Sequence, residues 1–145
     1  MKKVFHNEDV FTSAESVGLR DWGTEDLLYC CDGSFTFKLL KLNRGCAGGL
    51  QYHRKKDEVT YIISGELLVK YDLNDGSGLR EKVLKGGDWI RFPTLMVHQE
   101  IAITDVVRVE VSTPYFNDRV RVEEEYGLGA PRGLPTTSND EIIFK

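Results

Sequence analysis

The chain is poor in cysteine, with three thiols among 145 residues, at Cys30, Cys31 and Cys46. An odd count with an adjacent pair is not a disulfide framework. No Cys-x-x-Cys spacing or nearby ligand set turns Cys30-Cys31 into a redox or metal pair. Idle thiols in a reducing compartment are the expectation. Long apolar runs are also missing. No stretch approaches the roughly 20 apolar residues of a membrane span. The segment from Met1 to Asp9 has no apolar core of the kind a signal peptide carries. A cytoplasmic protein with no membrane partner is therefore expected. Nor is there a basic excess. With 19 Lys and Arg against 23 Asp and Glu, a net charge of −4, a nucleic-acid groove is excluded. Lys55-Lys56 and the pair Arg119 and Arg121 read as solvated loop and strand faces.

Helical periodicity, internal repeats, low-complexity tracts and a second domain are absent too. A chain of 145 residues suits one domain, and one of this size buries about two-thirds of its unfolded surface. Residues 1–34 are mixed, with turn signals at Gly18, Gly23 and Asp32-Gly33, and read as an N-terminal arm with a strand or two. Residues 35–113 carry short runs rich in Val, Ile, Phe, Tyr and Leu. These are Phe35–Leu42, Leu50–His53, Glu58–Ser64, Glu66–Leu73, Arg80–Leu84, Trp89–Phe92, His98–Ile103 and Val106–Ser112. Gly, Asn, Asp and Pro separate them, residues that accept positive φ or bond their own backbone. Residues 114–145 form a C-terminal extension, irregular after Tyr126 and ending in the apolar run Ile142-Ile143-Phe144, which is available to pack on the barrel or on a second subunit. Evenly spaced short strands with tight turns predict an all-β antiparallel sandwich or barrel. A small barrel leaves no exposed edge and encloses room for one small ligand.

Four metal-capable side chains fall in this strand-rich part: Gln51, His53, Glu58 and His98. Gln51 and His53 are two apart, so on a strand they share a face. Glu58 heads the run Val59-Thr60-Tyr61-Ile62-Ile63, and His98 opens another strand beyond Pro93. Two imidazoles, a carboxylate and a carboxamide on neighbouring strands make a metal site with an open coordination position.

The spacing resembles the cupin superfamily. Four residues separate His53 from Glu58, and six separate Glu58 from Gly65, as in the first cupin motif. Gly87, Pro93 and His98 match the second, in which Leu95 stands where the family has glycine. Gln51 takes the place of the usual first histidine. Gln51-x-His53 with Glu58 and His98 looks like the zinc set of phosphomannose isomerases. Over residues 37–127 the chain is similar to the C-terminal cupin region of the type II enzymes, down to the acidic segment Asp118–Gly127. Their nucleotidyltransferase domain has no counterpart here. The resemblance implies a jelly-roll barrel, one divalent ion and a sugar or sugar-phosphate substrate. Zinc heads the choice of ion, with Fe, Mn and Ni as alternatives. By family analogy it also implies a homodimer.

On that reading the ion polarises a carbonyl or hydroxyl, and a base moves a proton between adjacent carbons. Glu100 is the first candidate, two residues beyond His98 on the same strand face; Glu110 is the second. Arg91, Arg44, Lys55 and Arg108 are candidate cations for a phosphorylated substrate. Tyr52 and Tyr61 fall off the ligand parity and are expected outside the cavity. Trp22 and Trp89 are expected in the core. His53, Glu58 and His98 also form a two-histidine, one-carboxylate set suited to Fe(II). A cupin dioxygenase or lyase is thus an alternative, as is a non-catalytic sugar-binding cupin.

Overall fold

The computed structural model describes the backbone of residues 3–5, 15–116, 118–129 and 142–144, and the side chains of residues 20–116 and 118–129. The strands are β1 (Lys3–Phe5), β2 (Glu15–Arg20), β3 (Gly23–Cys31), β4 (Phe35–Leu42), β5 (Gln51–His53), β6 (Glu58–Ser64), β7 (Glu66–Asp72), β8 (Leu79–Lys85), β9 (Trp89–Phe92), β10 (Val97–Ala102), β11 (Val106–Ser112), β12 (Arg119–Arg121) and β13 (Ile142–Phe144). One 3₁₀ turn spans Glu124–Tyr126, and no α-helix occurs among the described residues. Each of the eight expected strands is present with ends within one residue of those predicted.

Two antiparallel sheets form the body. One has six strands in the order β2-β3-β4-β11-β6-β9, the other five in the order β12-β5-β10-β7-β8. From β5 to β11 the chain crosses between sheets repeatedly, which is jelly-roll topology. Strands outside 35–113 join both sheets: β2 and β3 extend the larger one, and β12 edges the smaller. The Ile142–Phe144 run forms β13, paired in parallel with β1. The expected irregular stretch over 130–141 lies outside the described residues.

Alternation along the strands decides what faces inward. On β6, Glu58, Thr60 and Ile62 are buried while Val59, Tyr61 and Ile63 are exposed. On β11, Val106, Arg108, Glu110 and Ser112 are buried in the same alternating way. Each strand therefore runs from an apolar end to a polar end within the sandwich. The apolar end is filled by Ile62, Leu67, Val69, Leu84, Phe92 and Val106, contributed by both sheets. Smaller clusters gather Leu27, Cys30 and Phe116, and Leu50, Val97 and Val122. A register shift between Leu27 and Tyr29 lets both Leu27 and Cys30 face inward despite their odd separation. Burial pushes the Cys30 thiol up to about 12, and all three cysteines are free.

Gly65 joins β6 to β7 with φ of 90°. A Cβ there would fall 2.1 Å from the Asp105 carbonyl oxygen, so the turn requires glycine. Trp22 is buried as expected. Trp89 is not. It is 66 % exposed, because it lies on edge strand β9 opposite Tyr61, on the outer face of the sheet.

Ile62 is fully buried in the apolar cluster. Ile62→Ala should lower stability by roughly 2–5 kcal/mol, seen in urea denaturation as a lower midpoint with an unchanged slope.

Candidate metal centre

The expected ligands come from three strands of two sheets. Gln51 on β5 stands directly opposite His98 on β10, so their side chains share the inner face of the smaller sheet. His53 follows on the same face of β5. Glu58 faces them from the first position of β6 in the larger sheet. One donor atom each from His53, Glu58 and His98 lies within 4.8 Å of the others. Glu58 Oε1 is 3.7 Å from His53 Nε2 and 3.6 Å from His98 Nε2. All three residues are buried. Gln51 lines the same cavity.

The partners of the other ring nitrogens fix which atoms are offered. His98 Nδ1 lies 3.0 Å from the Met96 carbonyl, which only accepts, so Nδ1 carries the proton. His53 Nδ1 lies 2.9 Å from Asp118 Oδ1. Burial disfavours the Asp118 charge, but the Lys55 and Lys56 amides and His53 outweigh it and hold the carboxyl below its usual range. His53 Nδ1 therefore also donates, and both Nε2 lone pairs point at Glu58. Burial pulls the His53 pKa down to about 4, helped by the Lys56 charge, and it lowers that of His98 as well. Both rings are neutral at pH 7. Phe92 stacks on His98 with centroids 3.9 Å apart.

Glu58 is the strained member. Burial pushes its carboxyl up to about 8, the Glu110 charge adds to this, and Lys56 opposes it. Lys56 Nζ sits 2.9 Å from Glu58 Oε2 and 3.2 Å from Glu110 Oε2. One oxygen of Glu58 thus faces the imidazoles and the other a lysine. A divalent ion fits this donor set: two neutral nitrogens and one carboxylate oxygen converge, and the carboxylate gains from any cation placed against Oε1.

The carboxylates proposed as bases are both in the cavity. Glu110 faces inward, buried, between Lys56 and Arg108 Nη1 at 3.5 Å. Burial opposes its charge, but Lys56, Lys38 and Arg108 hold it well below the usual carboxylate range. Glu100 Oε2 accepts from Arg108 Nη2 at 3.1 Å. Its Oε1 is buried and has no hydrogen-bond partner among the described residues.

The expected cations are mostly elsewhere. Arg91 points outward from β9 and pairs with Asp57 through two hydrogen bonds of 3.0 and 2.7 Å. Arg44 is exposed in the turn after β4, where its amide donates to Asp105. Lys55 is exposed, with Nζ 5.8 Å from the centroid of the Tyr115 ring. Only Arg108, of the four cations considered, lines the cavity. The solvated reading of Lys56, Arg119 and Arg121 is overturned as well, because all three line the interior. Sheet register turned Arg119 and Arg121 inward, and Lys56 reaches in from the connection between β5 and β6; neither can be read from a short basic stretch. Asp118, Lys38 and Glu25 also belong to this surround, with Lys38 Nζ 2.8 Å from Glu25 Oε1. Parity on a recognised β4 was the one local signal for Lys38; Asp118 had none.

Two adjoining cavities, of about 100 and 80 Å³, share Gln51, His98, Glu100, Arg108 and Arg119 in their walls. The turn before β10 also touches the site. Leu95 adopts φ of 71°, so leucine takes the left-handed conformation that glycine would supply, at a cost of roughly 1–2 kcal/mol. Its amide donates to the His53 carbonyl at 2.9 Å.

The family model for cupins matches residues 8–128. This chain belongs to the cupin family. Among solved structures it is similar to the capsular polysaccharide assembling protein CapF from Staphylococcus aureus, at 17% identity and a TM-score of 0.65, over 78% of this cupin and 32% of that chain. KdgF from Halomonas sp. is similar at 17% identity and a TM-score of 0.63, over 76% of this cupin and 97% of that chain. An RmlC-like cupin from Shewanella frigidimarina NCIMB 400 shares 22% identity, with a TM-score of 0.59, over 74% of this cupin and 87% of that chain. The cupin spans about a third of CapF. At these identities the likeness carries the fold alone. No curated protein sequence matches the chain.

Asp118→Asn removes the charge that orients His53. It should weaken Zn²⁺ binding by about 10–100-fold, measured by competition with a chromogenic chelator, with the fold intact by circular dichroism.

Proposed function

We propose that this cupin is a metal-dependent enzyme acting on a sugar or sugar phosphate, by isomerisation or epimerisation, in the manner of the phosphomannose isomerases its Gln-x-His pair resembles. The convergence of His53, Glu58 and His98 donor atoms within 4.8 Å, in a cavity shared with a buried carboxylate oxygen of Glu100 that has no hydrogen-bond partner among the described residues, carries the reading. His53, Glu58, His98 and Gln51 would hold a divalent ion, zinc by preference for this nitrogen and oxygen set, with Fe, Mn and Ni as alternatives. Such an ion supplies Lewis acidity to a carbonyl or hydroxyl oxygen.

The protein's own groups supply the rest. Glu100, on the His98 face of β10, takes a proton from the carbon next to the substrate carbonyl and returns it to the former carbonyl carbon, while the hydroxyl proton passes from the neighbouring oxygen to the former carbonyl oxygen, so that the two groups exchange places. Its Oε1 is the free acceptor, while Oε2 is anchored by Arg108. Glu110 is the weaker candidate, because Lys56 and Arg108 already hold its charge. The walls of the buried pocket restrict water, which would otherwise compete for the proton in transit.

We also infer a cytoplasmic homodimer. No described helix is long and apolar enough to cross a membrane. The outer face of the larger sheet exposes Val59, Tyr61, Ile63, Trp89 and Val111, on the neighbouring strands β11, β6 and β9. An apolar sheet face of this kind, bordered by the Arg91–Asp57 pair, is a natural partner surface. Tyr61→Asp with Trp89→Asp should shift the protein to a monomer in analytical ultracentrifugation; a monomer in the parent protein would remove the dimer.

The enzyme reading is tested with metal-loaded protein and a panel of aldose and ketose phosphates in deuterated water. Deuterium should enter at the carbon next to the carbonyl of one of them. Glu100→Gln should reduce that exchange by about 10²–10⁴-fold while elemental analysis shows unchanged metal content. Absence of exchange across the panel would remove the isomerase.

A further inference from the structure

β12 pairs antiparallel with β5, and its register sets Arg119 opposite His53 and Arg121 opposite Gln51. Residues opposite one another on an antiparallel pair share a face. The two arginines therefore lie on the same side of the sheet as the candidate ligands. Val120, between them, turns to the other face and packs against the cluster of Leu50, Val97 and Val122. The cavity of about 100 Å³ has Arg108, Arg119 and Arg121 in its wall against one carboxylate, Glu100. Trp22 and Leu40 give it an apolar side. The adjoining cavity around the ligands is balanced, with Glu25, Glu58, Glu100 and Glu110 against Lys38, Lys56, Arg108 and Arg119. A divalent ion bound there would add positive charge to a neutral wall. The combined space would then carry a surplus of cations at its arginine end. Burial lowers the pKa of both Arg119 and Arg121, and for Arg119 the Arg121 charge adds to the effect. Glu25, Asp118 and Glu58 act on Arg119, and Glu123 on Arg121, in the opposite, charge-favouring sense; both guanidiniums are partly dehydrated, and an anion entering the cavity meets their planar donor forks.

We infer that Arg119 and Arg121 bind an anionic group of the substrate, a carboxylate or a phosphate, with its sugar carbons placed toward His98 and Glu100. The inference rests on the reading of the cavity as a substrate site and names the class of substrate that enters it. It moves the charge-recognising role from the outward-facing Arg91, Arg44 and Lys55 to β12. Arginine suits the role because its planar fork meets carboxylate or phosphate oxygens in pairs.

The test is calorimetric titration of three probes on one carbon skeleton: glucose 6-phosphate, glucuronate and glucose. Each is titrated into Zn²⁺-loaded and chelator-treated protein. One of the two anions should bind at least tenfold tighter than glucose, and which one does so separates phosphate from carboxylate. The preference should fall with added salt. In Arg119→Gln/Arg121→Gln it should vanish while metal content stays the same. Arg121→Gln alone, opposite Gln51 and away from the histidines, should cut the preference severalfold and serves if the double variant fails to fold. An anion preference unchanged in the variants, or none in the parent protein, would overturn the inference. Failure to retain metal would count against the metal reading instead, because the chelator-treated protein is titrated in parallel and still reports on the arginines.

Discussion

A carboxyl group has been carried into the interior of this sandwich, where burial and the neighbouring Glu110 charge disfavour its anion and Lys56 alone favours it. Glu58 is 5 % exposed. Taken alone, such a group would protonate, because burial disfavours its anion. Lys56 holds one oxygen, and two imidazoles present lone pairs to the other. A divalent ion against that second oxygen would complete what the lysine begins. The further charges in the cavity are linked in sequence. Lys56 is answered by Glu110, Glu110 by Arg108, and Arg108 by Glu100. Breaking one partner of a buried pair commonly costs roughly 3–5 kcal/mol, since the remaining charge is left without compensation. The cluster is thus a chain in which no member can be lost cheaply.

The two sheets make such a cluster tolerable by dividing the interior lengthwise. On β6 the inward positions go from glutamate through threonine to isoleucine, and on β11 from serine through glutamate and arginine to valine. Apolar packing around Ile62, Phe92 and Val106 stabilises one end, leaving the other free to hold charge. The hydrogen bonds of the ladders fix inward side chains to within a strand spacing. That precision brings Glu58 from one sheet against His53 and His98 from the other. Outer positions matter through their shape. Asp118, from the segment before β12, grips both His53 and the amides of Lys55 and Lys56, so a loop and a ligand are tied by one carboxylate. Leu95 binds the same histidine from its carbonyl side.

Strand positions and the candidate ligands were legible in the residues because both depend on local order. Alternation has a period of two, and glycine, asparagine and aspartate mark the turns, so Glu58–Ser64 and Val106–Ser112 are visible in one dimension. The four candidate ligands were likewise visible as residue types at fixed spacing, and Glu100 followed His98 by parity on the same strand. What the sequence could not supply was pairing across distance. The inward turn of Arg119 and Arg121 and the outward turn of Arg91 and Trp89 depend on which strands lie side by side. Those pairings are set by packing of the whole sandwich, between residues up to 70 positions apart in the chain. A basic residue on a strand has two faces available, and only the neighbouring strand and the sheet beyond it decide which one is dry.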